Sequence, residues 1–211
     1  MEDFQYKNKE VKFWRVTGEV LGQNKYSKTH VSSSGGGGYV GKGGGHVSAP
    51  KVHSTTVTHH EFWIKEEDGS EKSVKLSGHD IPLREGQKIT LISAGIKGKD
   101  SGFYSVLVNH NAKKHWFINS AGDLNKKLKL EVLTGKSLLI AGAIAGGIVY
   151  FTAPDRYRGK AWDDASWDIA LGVAGIVIVY RLVVKLSRVS GLTKKLKSHL
   201  EDLAQLTYKN F

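Results

Sequence analysis

Two apolar runs in the C-terminal half are the strongest constraint on how this chain can fold. The first, SLLIAGAIAGGIVYFTA at 137–153, has no charged residue over its seventeen positions. The second, WDIALGVAGIVIVYRLVV at 167–184, carries only Asp168 and Arg181, one near each end. About twenty apolar residues in a helix cross ~30 Å of hydrocarbon, a length that the first run reaches with the residues just before it. We therefore predict a two-helix transmembrane hairpin, at 137–153 and 167–186, over the alternative of buried helices in a soluble protein.

The Lys and Arg residues around these runs predict an orientation. Nine of them flank the runs on the outer sides, against three in the connector 154–166. Because Lys and Arg concentrate in cytoplasmic flanks, we expect a multi-pass inner-membrane protein with both termini in the cytoplasm. The nine flanking residues are Lys126, Lys127, Lys129, Lys136, Lys185, Arg188, Lys194, Lys195 and Lys197.

The N-terminal sequence MEDFQYKNKE contains no apolar region, so no signal peptide is predicted.

Aromatic residues stand at the inner ends of both runs and in the connector. They are Tyr150, Tyr157, Trp162 and Trp167. Trp and Tyr are enriched where a membrane meets water. We expect these side chains to lie at the bilayer surface, a role that needs no ligand.

The first 125 residues carry strand signals and no helix-period stripe. Six short segments are rich in Val, Ile, Thr and aromatic residues, which favour strands. Asp68-Gly69 predicts a hairpin turn, and Gly86 stands just before a strand. We predict an all-β N-terminal domain at 1–125, a small barrel or sandwich of OB-like or SH3-like size. The six segments are 12–20, 52–65, 71–78, 88–94, 104–110 and 115–118.

A glycine tract, GGGGYVGKGGG at 35–45, has eight glycines in eleven positions. From Gly36 it matches the G-x-x-x-x-G-K of a phosphate-binding loop. That loop needs Ser or Thr next, to bind Mg²⁺, and a helix N-terminus to face the anion. Gly43 stands at the Ser/Thr position, and no helix pattern follows. The sequence therefore predicts no nucleotide and no other cofactor at this tract.

The default structure of such a tract is a flexible loop, because glycine loses the most conformational entropy on folding. The tract lies between two predicted strands of the β-domain, so it interrupts a domain and does not join two. We predict a mobile glycine-rich loop at 32–48. Tyr39 and Val40, the apolar residues at its tip, are possible partner contacts.

Two patterns in the C-terminal half predict helix contacts. Gly142 and Gly146 form G-x-x-x-G, which allows close helix packing; the chain's own second helix is the expected partner and another copy the alternative. After the second run, 187–211 is predicted to be a separate cytoplasmic amphipathic helix. Its apolar side is expected to contact the membrane surface or a partner, with the β-domain as a further alternative. That side holds Leu192, Leu196, Leu200, Leu203 and Leu206.

The sequence contains few of the residues and motifs that indicate an enzyme. The chain has no cysteine and no G-x-S-x-G, and its nine histidines show no H-E-x-x-H pattern. His59 and His60 are adjacent in a predicted strand, so they point to opposite faces. We predict no catalytic residue, no metal site and no enzymatic activity.

The formal net charge of +11 favours anionic partners. Much of the charge lies beside the apolar runs, including the basic juxtamembrane segment 126–136, where headgroup contact explains it. We predict a membrane protein whose cytoplasmic β-domain is a binding or scaffolding module, with the lipid bilayer and another membrane or cytoplasmic protein as partners. One alternative is a homo-oligomeric pore or membrane-perturbing effector. A membrane-tethered nucleic-acid-binding barrel is the second, with nucleic acid the less expected partner.

Overall fold

The chain forms a β-rich domain followed by helices, as shown by a computed structural model that describes residues 1–99, 101–132, 135–156, 159–160 and 165–210. All strand pairs are antiparallel. The β-rich domain predicted from the sequence is confirmed, and each of the six predicted segments overlaps a strand of one sheet. The sheet strands are β1 (Phe4–Tyr6), β2 (Lys9–Ser34), β5 (Lys51–Glu66), β6 (Glu71–Ser77), β7 (Lys88–Ile96), β8 (Phe103–Asn109) and β9 (Lys114–Phe117).

The remaining elements are short strand pairs and helices. Strands β3 and β4 pair with each other, as do β10 and β11. Their bounds, with those of the helices, are β3 (Gly37–Gly41), β4 (Gly44–Ser48), β10 (Asp155–Arg156), β11 (Gly159–Lys160), α1 (Ala121–Leu128), α2 (Lys136–Thr152) and α3 (Trp167–Lys209).

Strand β2 organises the sheet, whose order is β6-β5-β2-β7-β8-β9 with β1 also paired to β2. The first part of β2 pairs with β7, from Val11↔Ile96 to Glu19↔Lys88. The later part pairs with β5, and the register shifts between Val20 and Gly22. The predicted Asp68-Gly69 turn joins β5 to β6: the Ser70 N–H donates to Asp68 Oδ1 at 2.9 Å, and Gly69 has a φ of +85°.

Both faces of the sheet are buried, each by a different part of the chain. On one face, residues such as Phe13, Ile92 and Val108 pack against α1 and the C-terminal half of α3. On the other face, sheet residues such as Phe62 and Leu91 form a second apolar cluster. Ile81 and Leu83, from the segment before β7, belong to the same cluster. Strand β7 can therefore be buried on both sides, which its nearly continuous apolar sequence KITLISAGI requires.

The prediction of a closed barrel or two-sheet sandwich is wrong. Within the described residues, no ladder joins the outer strands β6 and β9. Helices cover the first face of the sheet, a cover that no strand pattern reveals. Ser120 caps the first of these helices, accepting a hydrogen bond from the Asp123 N–H at 3.2 Å.

The prediction of a two-helix transmembrane hairpin with a separate amphipathic helix is also wrong. Helix α2 has 17 residues, about 25 Å, which is short of the ~30 Å of a hydrocarbon core. Helix α3 runs unbroken for 43 residues, so the second apolar run and the leucine stripe belong to one helix. No proline interrupts it, and its C-terminal half is held on the sheet. By length and composition, α3 alone among the described helices is long and apolar enough to cross a membrane.

Helix α2 packs antiparallel beside the apolar half of α3. Near one end of the pair, Arg181 Nε donates to Ser137 Oγ at 3.2 Å. Near the other, the Ser166 N–H donates to Thr152 Oγ1 at 3.1 Å. Ala141 and Val149 of α2 are buried, whereas most large apolar side chains along this half of α3 are exposed.

Candidate functional site: a basic arm and a charged junction

Strands β2 and β5 extend beyond the sheet as a two-stranded ribbon. Eight residue pairs, from Ser27↔Thr58 to Ser34↔Lys51, continue after the last β6 partner of β5, which is Ser77 opposite His59. At ~3.3 Å per residue the ribbon projects by about 25 Å. We call residues 27–58, the ribbon with the β3–β4 hairpin at its end, the arm.

The glycine tract forms the tip of the arm as a paired hairpin, and its predicted mobility stays a prediction. Strand β3 pairs with β4 from Gly37↔Ser48 to Gly41↔Gly44. At Gly38 a Cβ would lie 2.3 Å from the carbonyl oxygen of His46, so the close strand approach requires glycine there. Backbone ladder bonds, which need no side chain, order this segment. Sequence reasoning missed them because it counted only side chains that could be buried.

The arm is basic and has no acidic residue. Residues 20–60 contain four Lys and five His and neither Asp nor Glu. Alternation along the strands places Lys28, His30, Lys51 and His53 on one face, where their register positions are neighbours. The opposite face carries hydroxyl groups, with Thr29 Oγ1 2.9 Å from Thr56 Oγ1. The arm therefore offers cations and hydrogen-bond donors to an anion, with no carboxylate of its own to compete.

Aromatic stacking anchors the base of the basic face. The rings of Tyr26 and His59 stack with centroids 5.1 Å apart and an interplanar angle of 18°. The Tyr26 hydroxyl donates to Glu61 Oε1 at 2.9 Å, and Lys28 Nζ lies 5.4 Å from the Tyr26 ring centroid. These contacts fix the direction in which the arm leaves the sheet.

His60, on the opposite face of the same strand, is buried under the base of the arm. Its Nε2 lies 2.9 Å from Gln23 Oε1, and its Nδ1 is buried with no hydrogen-bond partner. Burial, and secondarily the charge of Lys25, lowers the pKa of His60 below 6.5. This histidine is therefore neutral near pH 7 and belongs to the core, not to the basic face.

A second polar centre lies where the apolar half of α3 ends. The Glu131 side chain is 3% exposed and accepts hydrogen bonds from three groups: Lys185 Nζ at 2.9 Å, the Tyr6 hydroxyl at 2.8 Å, and Lys7 Nζ. Burial alone would raise the Glu131 pKa, but these donors outweigh it and lower the pKa to about 2. Asn125 Oδ1 accepts a bond from the Glu131 N–H at 2.8 Å. We call this cluster the junction, because it joins the N-terminus, the segment after α1 and α3.

No motif in the sequence predicts a role for Glu131. The one sequence feature that sets it apart is that it is the only acidic residue from 124 to 154, in a basic stretch. The residues that bind it are 124 positions earlier and 54 later, so spacing along the chain cannot reveal the cluster.

The structure places Leu192, Leu196, Leu200 and Leu203, proposed from the sequence as partner contacts, at 0–2% exposure in the core against the sheet. The chain's own β-domain therefore occupies the leucine side of α3. Near it, His199 packs beside Phe13 with ring centroids 5.2 Å apart.

Three other predicted site residues, Gly142, Gly146 and Tyr39, lie in open positions. A Cβ at Gly142 or Gly146 would meet nothing within 4 Å, so neither glycine packs closely against α3, and contact with another copy stays a prediction. The Tyr39 side chain is 77% exposed. Val40 pairs with Gly45 through its backbone, while its side chain lies outside what the structure describes.

Two of the connector aromatics, Tyr157 and Trp162, also lie outside the described residues. Their predicted place at a bilayer surface therefore stays a prediction. In the part of the chain that the structure describes, no group of three His, Asp or Glu side chains is placed to hold a metal ion.

The described residues thus combine a β-rich domain, a projecting basic arm and one long apolar helix. Comparison with known proteins adds no narrower assignment, since the chain matches no protein-family model, no curated protein and no solved structure.

Proposed function

We propose that this chain is a membrane-anchored binding protein that presents its basic arm to an anionic macromolecule. One observation carries the proposal: the arm projects from the sheet with no acidic residue between 20 and 60. A monomer gains no core from such a ribbon, whose residues are mostly exposed on both faces. A partner that brings its own negative charge supplies the missing contacts.

The apolar half of α3 is the proposed anchor. Its most apolar 18-residue window has a mean hydropathy of 2.2 and is only 11% buried, so its side chains need an apolar environment other than the chain itself. Because α3 is one helix, the anchor continues without a linker into the part that packs on the sheet. The β-domain is therefore expected to sit directly on the membrane surface.

We infer that the arm extends away from that surface. Strand β2 leaves the junction next to Lys7, and the C-terminal half of α3 leaves it at Lys185. The two elements then run together, since Phe13 lies beside His199. Strand β2 continues well past this point before it reaches Ser34. Within this proposal, the partner of the arm is a soluble molecule and not the lipid in which α3 is anchored.

We place the β-domain on the cytoplasmic side of an inner membrane. His199 Nε2 lies 3.1 Å from the Glu2 carbonyl oxygen, so the start of the chain lies beside the C-terminal half of α3 within the β-domain. The basic residues that flank the apolar segments are attracted to the cytoplasmic face.

Duplex DNA is the anionic partner that the shape of the arm favours. A two-stranded β-ribbon fits the major groove, which is about 12 Å wide, and Lys with Ser or Thr hydroxyls provides phosphate contacts. Three lysines, Lys28, Lys42 and Lys51, lie on the arm. They predict a log–log salt slope of about −3, at roughly 0.9 per phosphate contact.

The test is fluorescence anisotropy of a labelled DNA duplex with the full-length protein in nanodiscs of zwitterionic lipid. The triple variant Lys28→Gln, Lys42→Gln, Lys51→Gln is expected to lose binding and its salt dependence. A matched control removes three exposed charges elsewhere on the β-domain: Lys99→Gln, Lys113→Gln, Lys114→Gln. Equal weakening in both variants would assign the effect to net charge, and absence of salt-dependent binding by the wild type would refute DNA as the partner.

A further inference from the structure

A cavity of about 560 Å³ opens beside the junction, between the start of α2 and the middle of α3. One wall of the cavity is basic and is formed by Lys136, Arg181, Lys185 and Arg188. Another wall is apolar and is formed by residues such as Leu138 and Ile178. None of the described residues that line it is acidic.

The cations of this cavity divide into one engaged residue and three available ones. Lys185 is bound to Glu131 at 2.9 Å. Lys136, Arg181 and Arg188 form no ion pair with any carboxylate among the described residues. Arg181, Lys185 and Arg188 follow one another at i, i+4 and i+7, so they share one face of α3. Ser137 accepts from Arg181 Nε at 3.2 Å, which holds the guanidinium at the mouth of the cavity.

The position of the cavity along α3 identifies its ligand. Below it lies the exposed apolar half of the helix, and Tyr180 at this level is 69% exposed. Above it begin the charged residues of the part that packs on the sheet. Phosphate groups of phospholipids lie at this boundary between hydrocarbon and water, where Arg and Lys side chains reach them. Basic cavities between helices at the cytoplasmic surface bind anionic headgroups in the same way.

We propose that this cavity binds the phosphate headgroup of an anionic phospholipid. Arg181, Arg188 and Lys136 neutralise the phosphate, and the apolar wall contacts the first carbons of the acyl chains. The proposal rests on the membrane anchoring argued above and goes beyond it, because an anchor alone requires no particular lipid. A bound lipid would brace the α2–α3 pair beside the Glu131 contact and so set how deeply the β-domain sits.

The experiment reconstitutes the full-length chain in phosphatidylcholine vesicles with or without about 20 mol% phosphatidylglycerol, a typical anionic fraction. Native mass spectrometry after mild detergent extraction then counts the lipids that stay bound. Wild type is expected to retain phosphatidylglycerol in preference to phosphatidylcholine. The double variant Arg181→Gln, Arg188→Gln is expected to lose this preference by about 30-fold, from two cations at a charged surface.

Controls separate the lipid site from the anchor. Lys194→Gln, Lys195→Gln removes two exposed charges from the same helix and should leave the preference unchanged; equal loss in both variants would overturn the site. Failure to enter either kind of vesicle would refute the anchor. Entry into both with no preference would refute the site alone. Displacement of the bound lipid by millimolar inorganic phosphate would reassign the cavity to a soluble phosphate ligand and overturn the lipid proposal.

Discussion

Glu131 and Lys185 form a 2.9 Å ion pair at the point where α3 passes from its exposed apolar half to the half that packs on the sheet. The pair fixes the junction because Glu131 is buried and its backbone is held by Asn125. Lys7 and Tyr6 reach the same carboxylate from the N-terminal hairpin. One side chain therefore ties the N-terminal hairpin and the segment after α1 to the end of the proposed anchor.

Replacing this carboxylate should destabilise the fold. Glu131→Gln removes the charge that three donors share, and we expect a loss of about 2 kcal/mol in the free energy of unfolding. Chemical denaturation of the full-length protein in detergent measures it. Glu10→Gln, which breaks an exposed pair with Lys97 at 2.8 Å, is the matched control and should cost less than about 0.5 kcal/mol. Equal small losses would show that the junction contributes no special stability.

The same carboxylate predicts an acid transition. Its pKa falls from an ordinary value of 4.5 to about 2 on folding, so the unfolded chain takes up the proton first. The stabilisation is complete above about pH 5 and disappears as the pH falls towards about 2. The stability difference between wild type and Glu131→Gln should shrink over this range in thermal melts. A difference that stays constant with pH would contradict the assigned ion pairs.

His60 predicts a second pH effect, closer to neutrality. Burial, and then the charge of Lys25, lowers its pKa from 6.5, so acidification favours the unfolded state, which binds the proton more readily. Wild-type stability should therefore decline as the pH falls below about 6.5. Thermal melts of His60→Gln should lack this share of the decline, whereas His53→Gln, on the exposed arm, should retain it. Identical pH profiles for wild type and His60→Gln would refute the assignment.

The leucine side of α3 should behave as core. Leu196 is fully buried, so Leu196→Ala is expected to cost about 2–5 kcal/mol through lost packing and a cavity. Leu206, 47% exposed on the same helix, provides the control, and Leu206→Ala should cost less than about 1 kcal/mol. Denaturation midpoints distinguish the two. A mild effect at both positions would mean that α3 is not packed on the sheet.

The tip of the arm should open without unfolding the β-domain. Gly38→Ala forces a Cβ to within 2.3 Å of a backbone oxygen and is expected to cost about 1–3 kcal/mol locally. Amide hydrogen exchange should therefore speed up in β3 and β4 while the sheet keeps its protection. Gly43→Ala meets nothing within 4 Å and should leave exchange unchanged. Unchanged exchange in Gly38→Ala would show that the tip is not a paired hairpin.

Local composition was enough to locate six of the seven strands of the sheet. The predicted segment 88–94 lies within β7, and 115–118 overlaps β9, because Val, Ile and aromatic residues mark half-buried strands wherever they occur. The β2 half of the arm was missed for the converse reason. Residues 22–34 of β2 bury no regular face, so their polar sequence shows no alternation although the backbone pairs with β5.

Three features follow from the order of the amino acids alone: the β-rich N-terminal region, its turn at Asp68-Gly69, and the apolar character of α2 and the first half of α3. These features depend on neighbouring residues and on hydrophobicity. Three others emerge only in the folded chain: α3 is one helix whose leucines cover the sheet, the sheet stays open, and Glu131 meets Lys7 and Lys185. Each of these depends on contacts between residues far apart in the chain, and their energies become visible only when the elements are packed together.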